Sequence, residues 1–145
     1  MKAVIQRVKD ANLKVDGNLI SQIDFGYVIF LGVKKGDTTA NADYFIKKIP
    51  TLRIFEDENG KINKSILDVG GQILLVSQFT LYANCSHGNR PDFLDAEIPD
   101  KANELYLYTA NGLKEKGIDV KLGVFGADMK INQTNDGPFT IILEN

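Results

Sequence analysis

Gly70-Gly71-Gln72-Ile73-Leu74-Leu75-Val76-Ser77-Gln78-Phe79-Thr80-Leu81-Tyr82 is the most strand-like stretch of the chain, and its reading decides the rest. A glycine pair opens an unbroken aliphatic run, the pattern of a strand buried on both faces, so a strand is expected from Gln72 to Tyr82. Tyr27 to Val33 is a second continuous apolar run of the same kind. Around these two, shorter β-like pieces are punctuated by turn residues. Ala3 to Val8 reads as a strand, and Leu13–Val15 and Leu19–Ile23 flank Asp16-Gly17, a hairpin signal. Asn59-Gly60 marks another tight turn, between Arg53–Phe55 and Ile62–Leu67. Val120, Leu122 and Val124 alternate with polar residues, as do Met129, Ile131 and Gln133, and Phe139 to Leu143 closes the chain as a last strand.

Two segments carry helical spacing instead. Ala42, Phe45, Ile46 and Ile49 fall at i, i+3, i+4 and i+7 and form one apolar face, with Pro50 to stop the run. Ala102, Leu105, Tyr106, Thr109 and Leu113 repeat the pattern after Pro99, and Lys114, Lys116 and Gly117 suit a helix C-terminus. Many strands with two helices predict an α+β fold, and 145 residues without a linker or repeat predict a single domain over 1–145.

Composition narrows the function. With 17 Lys and Arg against 19 Asp and Glu, the net charge is −2, far from the basicity of a protein that wraps nucleic acid, so any such partner must be gripped locally and no DNA partner is expected. One Cys excludes an intramolecular disulfide, and one His excludes a His-rich metal centre; neither metal nor cofactor is expected. The N-terminal residues lack a signal-peptide core and no run is long enough to span a membrane, so a cytoplasmic protein without a membrane partner is expected.

Four places carry possible chemistry. Asp57-Glu58-Asn59-Gly60 has a calcium-loop flavour, but the glycine comes too early and the acidic hairpin turn is the better reading. Cys85 and His87 suggest a thiol–imidazole pair, yet Asn84 to Asn89 is rich in turn formers and offers a nucleophile little preorganisation. Ser77-Gln78-Phe79-Thr80 places hydrogen-bonding side chains at the end of the most apolar strand, where they need partners. Those partners are either a satisfied polar patch, a dimer seam or a substrate. Asn135-Asp136-Gly137-Pro138-Phe139-Thr140 announces a turn.

Ser77-Gln78-Phe79-Thr80 followed by Asn135-Asp136-Gly137-Pro138 closely resembles the D-aminoacyl-tRNA deacylase family (D-tyrosyl-tRNA deacylase type). So do Ala3–Val8, Leu31-Gly32-Val33, Leu52–Phe55, Leu67–Gly71 and Phe125–Met129, in order along the chain. The resemblance implies a homodimer of compact, β-rich, barrel-like subunits of mainly antiparallel strands. It implies hydrolysis of the ester joining a D-amino acid to the 3′ end of tRNA, and entry of achiral glycyl-tRNA as well. It further implies a cis Gly137-Pro138 bond reaching into the partner subunit's site, with Ser77, Gln78, Phe79 and Thr80 as the facing catalytic wall. Phe125 and Met129 would shape the substrate pocket with Gly137 and Pro138, and Arg7 and Asn135 would orient the turn. Asn84 to Asn89 departs from the more basic run of many relatives, while Arg90-Pro91 and Phe93 keep the pattern.

No strong base stands beside Ser77 or Thr80 in the sequence. The ribose hydroxyl next to the ester favours substrate-assisted attack by water, with backbone N–H groups around Gln78 to Thr80 stabilising the oxyanion, over Thr80 as a covalent nucleophile. Two other classes stay open on residues alone: a small esterase or thioesterase indifferent to chirality, and a non-catalytic dimeric binding protein.

Overall fold

A computed structural model describes residues 1–145. Ten elements run in the order β1 (Lys2–Val15), β2 (Asn18–Ile23), β3 (Gly26–Gly32), α1 (Thr39–Lys48), β4 (Phe55–Glu56), β5 (Ile62–Lys64), β6 (Gln72–Ser77), α2 (Pro99–Glu115), β7 (Asp119–Leu122) and β8 (Lys130–Glu144). The architecture is α+β: two helices and a strongly curved, mostly antiparallel sheet that nearly closes into a barrel.

β1 is the spine. Its first half pairs with β3 and its second half with β2 on one edge, while β8 runs antiparallel along the other edge for nearly its whole length. β3, β6 and β7 continue the sheet as parallel neighbours, a pairing that strand-by-strand reading of the sequence does not reveal. The far end folds back on the start, where Ser21 Oγ on β2 donates to the Leu122 carbonyl on β7 across 2.6 Å. β4 and β5 form the separate hairpin around Asn59-Gly60.

Alternation along the central strands sends side chains to two apolar layers. Ile5, Tyr27, Ile29, Leu31, Ile73 and Leu75 face α1 and α2, whose Phe45, Leu105, Tyr106 and Leu113 complete the larger core. Val8, Leu13, Val28, Leu74 and Val76 face the inside of the curl and meet Ile23 of β2. The Tyr106 hydroxyl, pushed up to about 12 by burial, donates to the Leu75 carbonyl at 2.7 Å and fixes α2 to β6.

Two sequence expectations change. The strand from Gln72 stops at Ser77 rather than Tyr82, because Phe79 to Tyr82 wind into a 3-10 helix. Gly32 allows this sharp return: a Cβ there would stand 3.1 Å from the Gln78 carbonyl oxygen and 3.2 Å from Leu81 Cβ. The segment Asn135–Thr140, expected as a turn between two strands, is instead a bulge inside the single strand β8. Gln6 faces Thr140 and Val8 faces Asn135, so residues 136–139 are accommodated opposite Arg7 alone.

Candidate active site

The parallel strands β3, β6 and β7 all end on one side of the sheet, the side where open parallel sheets place their ligands. A cavity of about 690 Å³ lies there. Val33 enters it from the end of β3, and Ser77, Gln78 and Phe79 from the end of β6. Phe125 and Met129 come from the β7–β8 loop, Phe93 and Glu97 from the segment leading into α2, and Ala102 from the first turn of α2 itself. The walls are mainly apolar, as a pocket for an amino-acid side chain or a nucleobase requires.

The polar wall has a defined geometry. Gln78 N–H is committed to the Leu31 carbonyl at 2.9 Å. The next two amides, of Phe79 and Thr80, open the 3-10 helix and donate to no backbone carbonyl, as expected of the first N–H groups of a helix. Gln78 Nε2 donates to Thr80 Oγ1 at 2.5 Å. Thr80 is exposed and lies outside the cavity lining. Phe79 is 54% exposed and meets Phe93 edge-on at a centroid distance of 5.0 Å.

Glu97 is the one lining residue with a strongly shifted acidity. Its carboxylate accepts from Gly36 N–H at 3.0 Å, from Lys101 Nζ at 2.9 Å and from Ile98 N–H at 3.0 Å, and these donors hold its carboxyl at about 2. A group so fully satisfied does not serve as a base at neutral pH. It ties the turn after β3 to the start of α2 and so fixes two walls of the cavity. Sequence reading missed Phe93, Glu97 and Ala102. The connection from Ala83 to Ile98 has no periodicity to mark Phe93 and Glu97, and the helical spacing that includes Ala102 marks it as core rather than as a cavity wall.

Cys85 and His87 are exposed and neither lines the cavity. Gly137, Pro138, Arg7 and Asn135 also lie elsewhere, so one chain does not bring the Gly-Pro turn to Ser77–Phe79. Arg7 and Asp136 instead border a second cavity of about 220 Å³ with Phe25, Phe55, Glu56 and Val69. There the buried Arg7 guanidinium donates through Nε to the Asp136 carbonyl at 3.1 Å and through Nη1 to the Ile54 carbonyl at 2.7 Å, and lies 5.2 Å from the Phe139 ring. The Gly137-Pro138 peptide is cis, and Gly137 has φ +122°. Both residues are exposed.

Comparison with known proteins points the same way. A model of the family described as D-Tyr-tRNA(Tyr) deacylase matches residues 4–144. A D-aminoacyl-tRNA deacylase of Geotalea daltonii is 54% identical over 99% of this chain and 96% of its own length. Another, of Thermus aquaticus, is 50% identical over 100% of this chain and 95% of its own. Among solved structures, one described as "c-Myc DNA Unwinding Element Binding Protein" superposes with a TM-score of 0.92 at 42% identity, covering 100% of this chain and 99% of that one. A second, "Structural Analysis of a probable eukaryotic D-amino acid tRNA deacylase", shares the fold at a TM-score of 0.84 and 16% identity, over 98% of this chain and 97% of that one.

Proposed function

The chain belongs to the D-Tyr-tRNA(Tyr) deacylase family, and from that membership we propose that it is a hydrolase that frees tRNA from a D-amino acid by cleaving the ester between them. The observation that carries the reading is the cavity at the carboxyl ends of β3, β6 and β7. It joins an apolar side-chain pocket at Phe125 and Met129 to the unclaimed amide of Phe79 at its rim, with the unclaimed Thr80 amide next in the chain.

The reaction adds water to the ester carbonyl, forms a tetrahedral oxyanion, and expels the ribose 3′-oxygen, which takes up a proton. Phe79 and Thr80 N–H groups are the oxyanion donors in this scheme, since Gln78 N–H is already taken by Leu31. The neighbouring ribose hydroxyl assists the water, because Glu97 is held ionised by its donors and Thr80 has only Gln78 beside its hydroxyl. Ser77 and Gln78 shape the floor on which the ester lies.

Chirality demands a rigid fixture, because D and L substrates carry identical groups and differ only in arrangement about one carbon. The Gly137-Pro138 turn supplies it in our reading. It is exposed, gripped from within by Arg7, flanked by Asn135, and remote from the cavity of its own chain, so it serves the cavity of a second copy in a homodimer. Its main-chain carbonyls accept from the substrate ammonium and leave no room for an L side chain. A filter working by exclusion tolerates diverse D side chains and also admits glycyl-tRNA.

Turnover of D-tyrosyl-tRNA measured beside a simple aryl ester tests the assignment. Release of tRNA with no cleavage of the aryl ester supports it. Comparable cleavage of both supports a general esterase, and cleavage of neither supports a binding protein.

A further inference from the structure

The bulge of β8 is held from two sides, and only one of them is Arg7. Side chains alternate along β1, so Arg7 points to the core face with Ile5 while Gln6 points to the opposite face with Val4. On that face Gln6 stands across the neck of the bulge. Its Nε2 reaches Thr140 Oγ1, just after the bulge, in a long contact of 3.4 Å. Its Oε1 accepts from Gln133 Nε2, just before the bulge, at 2.8 Å. The same Gln133 nitrogen donates to Asn135 Oδ1 at 2.7 Å. Two acceptors on one side fix which end of the Gln133 amide faces them, and its Oε1 is left buried without a partner. A buried, unpaired acceptor is costly, so this amide is committed to the neck at the expense of its own satisfaction.

We propose that Gln6 and Gln133 are positioning residues that set the angle at which the Gly137-Pro138 turn leaves β8. The inference rests on the reading of that turn as the chirality-setting element. Arg7 fixes the inner side of the bulge through Asp136, and the Gln6–Gln133 amide pair fixes its outer side through Thr140 and Asn135. With either grip lost, four residues opposite one can tilt about the other. A small tilt moves main-chain carbonyls relative to the substrate α-carbon, and displacements near 1 Å are known to cost up to ~100-fold in rate.

Gln6→Met and Gln133→Met remove the amide pair with little change in volume, and Gln6→Glu keeps an acceptor for Gln133 Nε2. Single-turnover deacylation of D- and L-tyrosyl-tRNA, with KM and melting temperature, is measured for each and for the double variant. The expected result is a fall of about tenfold in the D-to-L rate ratio for either Met variant, at unchanged KM. The double variant falls no further, because the two residues act as one unit, and Gln6→Glu recovers most of the loss. A D-to-L ratio equal to wild type in both Met variants overturns the inference. So does a Gln6→Glu variant as impaired as Gln6→Met. Should Gln133→Met fail to fold, the contrast between Gln6→Met and Gln6→Glu decides. A wild-type protein inert towards D-tyrosyl-tRNA overturns the parent reading, and the inference with it, whereas an active wild type with unaffected variants overturns the inference alone.

Discussion

Arg7 Nε donates to the main-chain carbonyl of Asp136 across 3.1 Å and lies 3.2 Å from the Asp136 carboxylate, so one buried guanidinium holds both the backbone and the side chain of the residue before Gly137. Lysine has no planar fork with which to reproduce that grip while also reaching the Ile54 carbonyl. Arg7→Lys is expected to lower D-aminoacyl-tRNA deacylation by about tenfold or more. It should also cost about 2 kcal/mol of stability, as carbonyls lose charged donors. Thermal denaturation and single-turnover rates check both.

Gly137→Ala separates activity from stability. An added Cβ would stand 3.1 Å from Phe139 N and 3.2 Å from Arg7 Nη2, at a φ of +122° that side chains rarely adopt. The turn is exposed, so the fold should absorb the roughly 1–3 kcal/mol of strain while D-substrate turnover drops sharply. A variant that melts near wild type and turns over normally would contradict the role given to the turn.

Much of this was legible from the chain. The apolar runs at Tyr27–Val33 and Gln72–Val76 and the i, i+3, i+4 spacings of both helices mark their elements within a few residues. The Asp16-Gly17 hairpin follows from turn chemistry alone. The 3-10 winding at Phe79 was not legible, because Phe79, Thr80, Leu81 and Tyr82 all suit a strand and the return depends on the space left by Gly32. Nor was the continuity of β8. Asn, Asp, Gly and Pro do make a local turn there, but pairing with β1 on both sides incorporates it as a bulge. Of the site, the motifs were visible and their separation within one chain was not. The Gln6–Gln133 contact joins residues 127 apart, which no local pattern reports.

Acidity should act through Glu97. Its carboxyl is held at about 2 in the fold, against roughly 4.3 in an unfolded chain. A lowered value means that its contribution to stability is complete above the unfolded value and is lost as pH falls towards the folded one. The difference in melting temperature between wild type and Glu97→Gln should therefore be largest near neutrality and shrink between about pH 4.5 and 2. A difference independent of pH over that range would count against the three-donor assignment.

The exposed side chains of Cys85, His87 and Thr80 should matter little to the chemical step. Cys85→Ser with His87→Ala is expected to leave the single-turnover rate near wild type, since both residues are exposed and neither lines the cavity. A loss of ~100-fold, the low end for a positioned acid or base, would restore them to the mechanism. Thr80→Ala should cost less than the ~100-fold expected for a lost oxyanion donor, because its amide remains.

A composite site predicts complementation between defective copies. Gly137→Ala spoils the turn and Ala127→Trp fills the cavity, so each alone should be nearly inactive. In a mixed dimer of the proposed kind one intact cavity would face one intact turn, and activity that neither parent has should return. Activity no greater than the sum of the parents would place turn and cavity in one chain.

The most direct measurement is the single-turnover deacylation rate of one tRNA carrying D-tyrosine and the same tRNA carrying L-tyrosine, under identical conditions. Rapid release from the D ester is expected, with the L ester decaying no faster than it does without protein. Equal rates on the two enantiomers, or faster release of the L form, would contradict this expectation.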